Sequence, residues 1–171
     1  RLEMSEKLWG HQCLTPGGLE YLIDFVKAMI PASEKSFLDL GAGIGGGVRG
    51  INKEFGVWMT GMEPNEALAE IGKEESIKQG LGRRAPVSWY DPDNIKLEAR
   101  KYNGVYALET FFRFADKGAV MDACYLTLRH GGHLMLTDFV LAHPGDPGDS
   151  VRRWMSVDRV TNPLWTAKQT H

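Results

Sequence analysis

Apolar positions along the chain alternate between helix-spaced stripes and short β-like runs, the pattern of an α/β domain built on a parallel sheet. Over residues 18–30, Leu19, Leu22, Ile23, Phe25, Val26 and Met29 form the first stripe, which Pro31 ends. Residues 36–40 read as a buried strand, 48–55 as a helix with Gly56 as its stop, 57–62 as a second strand closed by Glu63-Pro64-Asn65, and 66–79 as the next helix. A short third strand is predicted over 87–90, ahead of the turn-forming Asp91-Pro92-Asp93-Asn94. A fourth follows over 102–108, a helix over 117–129, and a fifth strand over 133–141 after a Gly131-Gly132 turn. Prolines and glycines mark 143–148 as a linker, and 149–171 reads as a C-terminal helix interrupted near Pro163. Strands and helices taken in turn imply right-handed crossovers and a doubly wound sheet, with ligand expected at the carboxyl ends of the strands.

A chain of 171 residues, 43% of them apolar, suits a single domain with a real core. Its 20 basic and 22 acidic residues give a net charge of −2, which offers nucleic acid or an anionic membrane no electrostatic purchase. No run approaches the roughly 18 apolar residues of a membrane span, and the first ten residues lack the pattern of a secretion signal, so a cytoplasmic location is expected. Cys13 and Cys124 have neither CxxC spacing nor the numbers for a disulfide framework; they read as inert thiols, and no metal site is expected. Glycine is the unusual feature, 20 of 171 residues against an average usage of about 7%. Gly41, Gly43, Gly45, Gly46 and Gly47 all fall in the stretch GAGIGGG, directly after the first strand.

Glycines in that position permit a tight turn and close approach of the backbone to a ligand, so a cofactor is expected there. The spacing of Gly41, Gly43 and Gly46 also satisfies the dinucleotide-binding G-x-G-x-x-G. Glu63, at the end of the second strand, fits the ribose hydroxyls of either cofactor type and does not discriminate. Asp39 does, since a carboxylate two positions before the first glycine attracts the cationic amino end of S-adenosylmethionine (SAM) and repels a pyrophosphate. Asp91, after the third strand, is placed to accept from an adenine amino group. The chain has no Y-x-x-x-K and no room for a second catalytic domain. SAM is therefore favoured over NAD, which stays as an alternative.

With these residues placed, FLDLGAGIGGG, Glu63, YNGVYALETFF and LRHGGHLMLTDFV together resemble a class I SAM-dependent methyltransferase over most of the chain. LWGHQCLTPGGLE, upstream of the glycine loop, is similar more narrowly to phosphoethanolamine N-methyltransferases and their small-molecule relatives. The resemblance implies a Rossmann-like sheet of order 3-2-1-4-5 and an N-terminal segment, 1–18, that covers the cofactor. It implies that Leu14 and Thr15 close over SAM, that Gly41 and Gly43 contact its methionyl part, Glu63 its ribose and Asp91 its adenine. Leu108 would sit with Glu109 between cofactor and acceptor. In the phosphobase enzymes a histidine after the fourth strand works with an N-terminal tyrosine. Arg113 occupies the histidine's position here, and the tyrosine's position would precede Arg1. Class I enzymes continue past the fifth strand with a helix and two more strands, on the order of fifty residues at common element lengths. Strands six and seven are thus expected to be missing from a shortened domain.

Among the remaining chemistry, Glu109 is expected either to be the proton acceptor for an amine or hydroxyl acceptor, because a carboxylate at a strand's carboxyl end faces the cleft, or to be a helix N-terminal charge or a cofactor hydrogen bond. Phe111, Phe112 and Phe114 are expected either to wall an acceptor site or to pack in the core, and Arg113 either to neutralise an acidic acceptor or to be a solvated charge. His130 and His133 flank a Gly-Gly turn, a poor arrangement for a metal pair. Asp138 either caps a loop or lines the acceptor pocket. The fifth strand would be an apolar sheet edge, inviting homo-oligomerisation through it or through Val151, Trp154, Met155 and Val157 of the C-terminal helix. The leading function is methyl transfer to a small molecule; the alternatives are a SAM-binding module without turnover and an NAD-binding domain.

Overall fold

Ser36–Leu40 (β1) alternates its side chains between two apolar layers: Phe37 and Asp39 point to one face, Leu38 and Leu40 to the other. All but Ser36 are buried, as a central strand of a sheet covered on both faces requires. In the computed structural model, which describes residues 2–170, β1 pairs in parallel with β2 (Trp58–Glu63) on one side and β4 (Tyr102–Leu108) on the other. β3 (Val87–Trp89) lies outside β2, and β5 (Leu128–Thr137) outside β4, giving the order β3-β2-β1-β4-β5. The chain leaves β1 toward β2 and later returns to its other side as β4. The carboxyl ends of β1 and β4 therefore flank the crevice where such sheets bind ligands.

One face of the sheet is packed by Phe37, Met59 and Tyr106 against Leu22, Val26 and Met29 of the α2 region (Gly18–Lys27) and Val48 and Ile51 of α3 (Gly46–Phe55). The other is packed by Leu38, Leu40, Val105 and Ala107 against Phe111, Phe114 and Val120 and Cys124 of α5 (Lys117–Thr127). Glu66–Lys78 (α4) begins at Asn65, whose side-chain oxygen accepts the Leu68 N–H, an N-cap of the usual kind. Ahead of α2 stands a short helix, α1 (Leu2–Trp9), which buries none of its residues. After β5, α6 (Gly148–Val157) and the chain that follows it form a smaller satellite core in which Phe112, Val160 and Leu164 pack with Trp154 and Met155, ahead of the single turn α7 (Ala167–Thr170). Lys117 ties this satellite to α5: its buried ammonium donates to Phe114 O (2.9 Å) and Pro163 O (3.0 Å). Among the described residues no helix is long and apolar enough to cross a membrane.

Several boundaries differ from the sequence expectation, and the C-terminal stretch read as one interrupted helix is helical only over α6 and α7. α2 stops at Lys27 rather than residue 30, its last turn tightening into i→i+3 bonds from Ala28, Met29 and Ile30. Ile30, which takes a left-handed φ of 53°, precedes Pro31, and a residue before proline is disfavoured in the right-handed helix. The fifth strand starts at Leu128, ending α5 two residues early, and closes at Thr137 rather than 141. Leu128 already pairs with Tyr102, and the register resumes at Gly104 with His133, so Gly131 and Gly132 lie in a bulge within the strand and not in a turn before it.

Gly104 sits opposite Phe37 on the crowded face: a Cβ there would lie 2.5 Å from Phe37 Cδ1 and 2.8 Å from Met29 Sδ. Gly104→Ala is expected to lower unfolding free energy by about 1–3 kcal/mol through overpacking, read as a reduced urea midpoint. An unchanged midpoint would show that this layer has slack.

Candidate functional site

The turn after β1 is pinned to the end of β2. The N–H groups of Gly41 and Ala42 both donate to Met62 O, at 2.8 and 3.0 Å. Gly41 has φ 114° and lies so close to Thr110 that a Cβ would overlap the hydroxyl oxygen, so both backbone and space demand glycine. Two residues on, the Gly43 N–H donates to Glu63 Oε2 at 2.7 Å, while Glu63 Oε1 accepts from the Asn65 N–H at 2.9 Å. Glu63 is thus a buried carboxylate at the end of β2 that orders the glycine loop. Burial raises its pKa, against the two N–H bonds and the charge of Arg113. Each oxygen still has lone-pair capacity for a further donor.

Asp39 is the second buried carboxylate, directly beneath the loop. It is 6% exposed and accepts from the Tyr106 hydroxyl at 2.9 Å across the β1–β4 pairing. Burial pushes its pKa up to about 7; the Tyr106 bond works downward and the neighbouring Glu63 charge upward. A narrow recess of about 40 Å³ runs past Asp39 between Gly41, Gly43 and Gly47 on one side and Cys13, Leu14 and Thr15 on the other. It adjoins a wider cleft of about 630 Å³ that shares Leu14, Thr15, Gly41, Gly43 and Leu108 and is also lined by Glu63, Glu109 and Arg113. That volume lies within the range of small-molecule sites, roughly 300–1,000 Å³.

Glu109, after β4, lines this cleft with a left-handed φ of 51°, an unfavourable conformation for a non-glycine residue and one that concentrates at functional sites. Its N–H donates to Thr137 O at 3.0 Å, which fixes the backbone, and partial burial raises the carboxyl pKa. Arg113, at the mouth, lies 4.6 Å over the Phe112 ring and donates to Asp158 O at 3.3 Å.

The fold therefore brings together Leu14, Thr15, Asp39, Gly41, Gly43, Glu63, Leu108, Glu109 and Arg113 around one recess and cleft. It leaves three candidates outside. β3 ends at Trp89, and Asp91 is exposed beyond it, its carboxylate accepting the Asp93 N–H at 3.0 Å. Phe111 and Phe112 are 1% and 2% exposed and are core residues rather than cleft walls. Phe111 meets Phe114 edge-on under β4, and Phe112 packs against Phe139 and Trp154. The apolar area each buries outweighs any gain from lining a wet cleft. Asp138 accepts the Phe112 N–H at 2.8 Å and caps this loop. Pro64, Asn65, Leu68, Thr110 and Arg159 also line the cleft. Pro64-Asn65 is legible in the sequence as a turn and helix start, but nothing in it places Arg159, more than forty positions from Arg113, at the same mouth.

Comparison with known proteins bears on the family and the fold. A family model described as a methyltransferase domain matches residues 12–168. Phosphoethanolamine N-methyltransferase 3 of Arabidopsis thaliana is 27% identical over 136 residues, 78% of this chain and 27% of that protein. A sterol 4-C-methyltransferase of Caenorhabditis elegans is 30% identical over 111 residues, 64% of this chain and 32% of that protein. The chain spans about a quarter to a third of the length of these curated relatives. Among solved structures, phosphoethanolamine N-methyltransferase 2 of Haemonchus contortus, in complex with phosphomonomethylethanolamine and S-adenosylhomocysteine, superposes with a TM-score of 0.84 at 23% identity. The match covers 98% of this chain and 38% of that one. With the family model matched over nearly the whole chain and the five-stranded order reproduced, the chain belongs to the methyltransferase-domain family.

Proposed function

We propose that this chain binds SAM in the cleft and transfers its methyl group to a small-molecule amine or hydroxyl. The observation that carries the reading is the pair of buried carboxylates, Asp39 and Glu63, on either side of a glycine turn that faces the cleft. Negative charge there, above all on Asp39 once ionised, favours a ligand with an ammonium and a sulfonium and disfavours the pyrophosphate of NAD. In this reading the recess takes the methionyl end, Asp39 faces its ammonium, and Glu63 accepts from the ribose hydroxyls. Pro64 and Leu68 offer an apolar surface to a flat base. Leu14, Thr15 and Leu108 exclude water from the cofactor's inner face.

Bound SAM supplies a methyl carbon on a cationic sulfur, which becomes a neutral thioether as the new bond to nitrogen or oxygen forms. The protein's part is to align the acceptor behind that carbon and to take the proton it sheds. Glu109 is placed for the proton, with a pKa raised by partial burial toward the range useful to a general base. Arg113 and Arg159 at the mouth suit an acceptor bearing an anionic group at its far end. An amine carrying a phosphate or carboxylate is the acceptor class this charge distribution fits, the class of the phosphomonomethylethanolamine in the Haemonchus complex.

We also propose that two copies associate through β5. Among the described residues that strand pairs with β4 alone, and a mainly apolar groove of about 490 Å³ lined by Phe25, Met121, Leu134, Leu136 and Val140 runs beside it. Light scattering at tens to hundreds of micromolar protein should give a mass above that of one chain, and a monomer throughout would refute the association.

Asp39 makes cofactor affinity depend on pH. Its folded pKa of about 7 lies above the ordinary carboxylate value of 3.8, so the folded chain holds the extra proton between those limits. Folding stability from this group therefore falls as pH rises from about 4 to 7. The ligand's ammonium requires the ionised form, so S-adenosylhomocysteine should bind more weakly as pH drops below 7, by up to about tenfold per pH unit. Asp39→Asn should flatten that dependence and raise thermal stability at pH 8; an equally steep pH profile in the variant would remove Asp39 from the ligand's surroundings. Glu109→Gln should lower kcat by about 10²–10⁴ while leaving the S-adenosylhomocysteine Kd within about threefold. Parental kcat in the variant would end the proton-acceptor role.

A further inference from the structure

The segment that covers the glycine loop is held by little apolar contact. α1 buries nothing, and between residues 10 and 17 Cys13 alone is buried. What fixes the segment is polar and converges on Gln12. Its side-chain amide donates to Glu75 Oε2 at 2.7 Å, and its side-chain oxygen accepts from Arg49 Nη2 at 2.7 Å and Gln79 Nε2 at 3.2 Å. Its backbone N–H donates to Glu6 Oε1 at 2.7 Å, bracing α1. Its carbonyl presses so closely on Gly46 that a Cβ there would overlap it. Gln12 does all this with a left-handed φ of 60°, a conformation that persists in a non-glycine residue only when its surroundings over-determine it.

Arg49 makes the arrangement more than a surface contact. It is 1% exposed, and besides Gln12 it donates to Ile44 O in the glycine loop (2.7 Å) and to Gly72 O and Ser76 Oγ in α4 (both 3.1 Å). One guanidinium thus holds both the loop that forms the cofactor recess and the segment that closes it. If the segment lifts, Arg49 keeps these three partners and Glu75 keeps Lys78 at 2.7 Å. Opening therefore costs a few hydrogen bonds and leaves the core of the domain intact, a local event of the low-stability kind.

We propose that Gln12 is a positioning residue that latches residues 10–15 over the cofactor cleft through Arg49 and Glu75, and that this latch sets the rate at which SAM-type ligands leave. The proposal rests on the cofactor assignment above. Leu14 and Thr15 carry the latch's effect to the ligand: both line the recess, and Leu14 Cδ1 lies 3.0 Å from the position of a Cβ on Gly43.

The test is the dissociation rate of S-adenosylhomocysteine, chased with excess SAM, in the parent chain, Gln12→Ala and Gln12→Asn. Asparagine suits the left-handed backbone better than glutamine but is too short to span Arg49 and Glu75. It separates loss of the latch from backbone strain. Both variants should release the ligand at least about tenfold faster, the lower end for losing a hydrogen bond to a charged group. Their ligand-free melting temperatures should match the parent's, and residues 8–17 should lose the hydrogen-exchange protection that ligand confers. Parental release rates and protection in Gln12→Asn would overturn the latch while leaving the cofactor assignment standing. Failure of the parent chain to bind S-adenosylhomocysteine would instead overturn the assignment, and the latch with it.

Discussion

Everything at this site depends on how closely other segments can approach one turn of backbone. Gly41 lets Thr110 at the end of β4 come into contact with the loop, and Gly46 does the same for the carbonyl of Gln12. A single Cβ at either position would push the fourth strand or the N-terminal segment outward. The recess between them would then lose its walls. β1, β2, β4 and the N-terminal segment are far apart in sequence, and the side-chain-free turn is where they meet. The glycines are thus the shared boundary of the recess, and the carboxylates beside them supply its charge.

Those carboxylates work against stability. Asp39 lies in the same layer as Phe37 and Tyr106, where a residue of equal size and no charge would pack without desolvation. Its retention beneath the loop, paired with a tyrosine hydroxyl rather than a cation, makes sense if the missing positive charge arrives with a ligand. Glu63 differs, because two backbone N–H groups already stabilise it, so it can order the loop before any ligand binds. In the proposed reading one acid pre-forms the site and the other selects for charge.

Most of the fold and half of the site could be read from the sequence, for a common reason. Strand and helix positions follow from local apolar spacing, and Asp39, Gly41, Gly43 and Glu63 stand at strand ends that the spacing locates. What escaped depends on tertiary packing. The three phenylalanines after β4 carry no periodic pattern, and only the satellite core built from Val160 and Leu164 shows where Phe112 goes. Arg159 reaches the cleft because Lys117 draws the chain around Pro163 back onto α5. Asp91 stands in an exposed loop beyond the three-residue β3, where apolar spacing says nothing of which way the chain turns. Gln12 has no signature at all: its importance lies in partners 37 and 63 positions away.

The role proposed for the glycine turn and its two acids is to recognise a cationic adenosyl ligand rather than a dinucleotide. Isothermal titration of this chain with S-adenosylhomocysteine and with NAD tests it most directly. Saturable binding of S-adenosylhomocysteine is expected, weakened in Glu63→Ala by about tenfold or more as for a lost hydrogen bond to a charged group, with no heat from NAD. Binding of NAD without S-adenosylhomocysteine would contradict it.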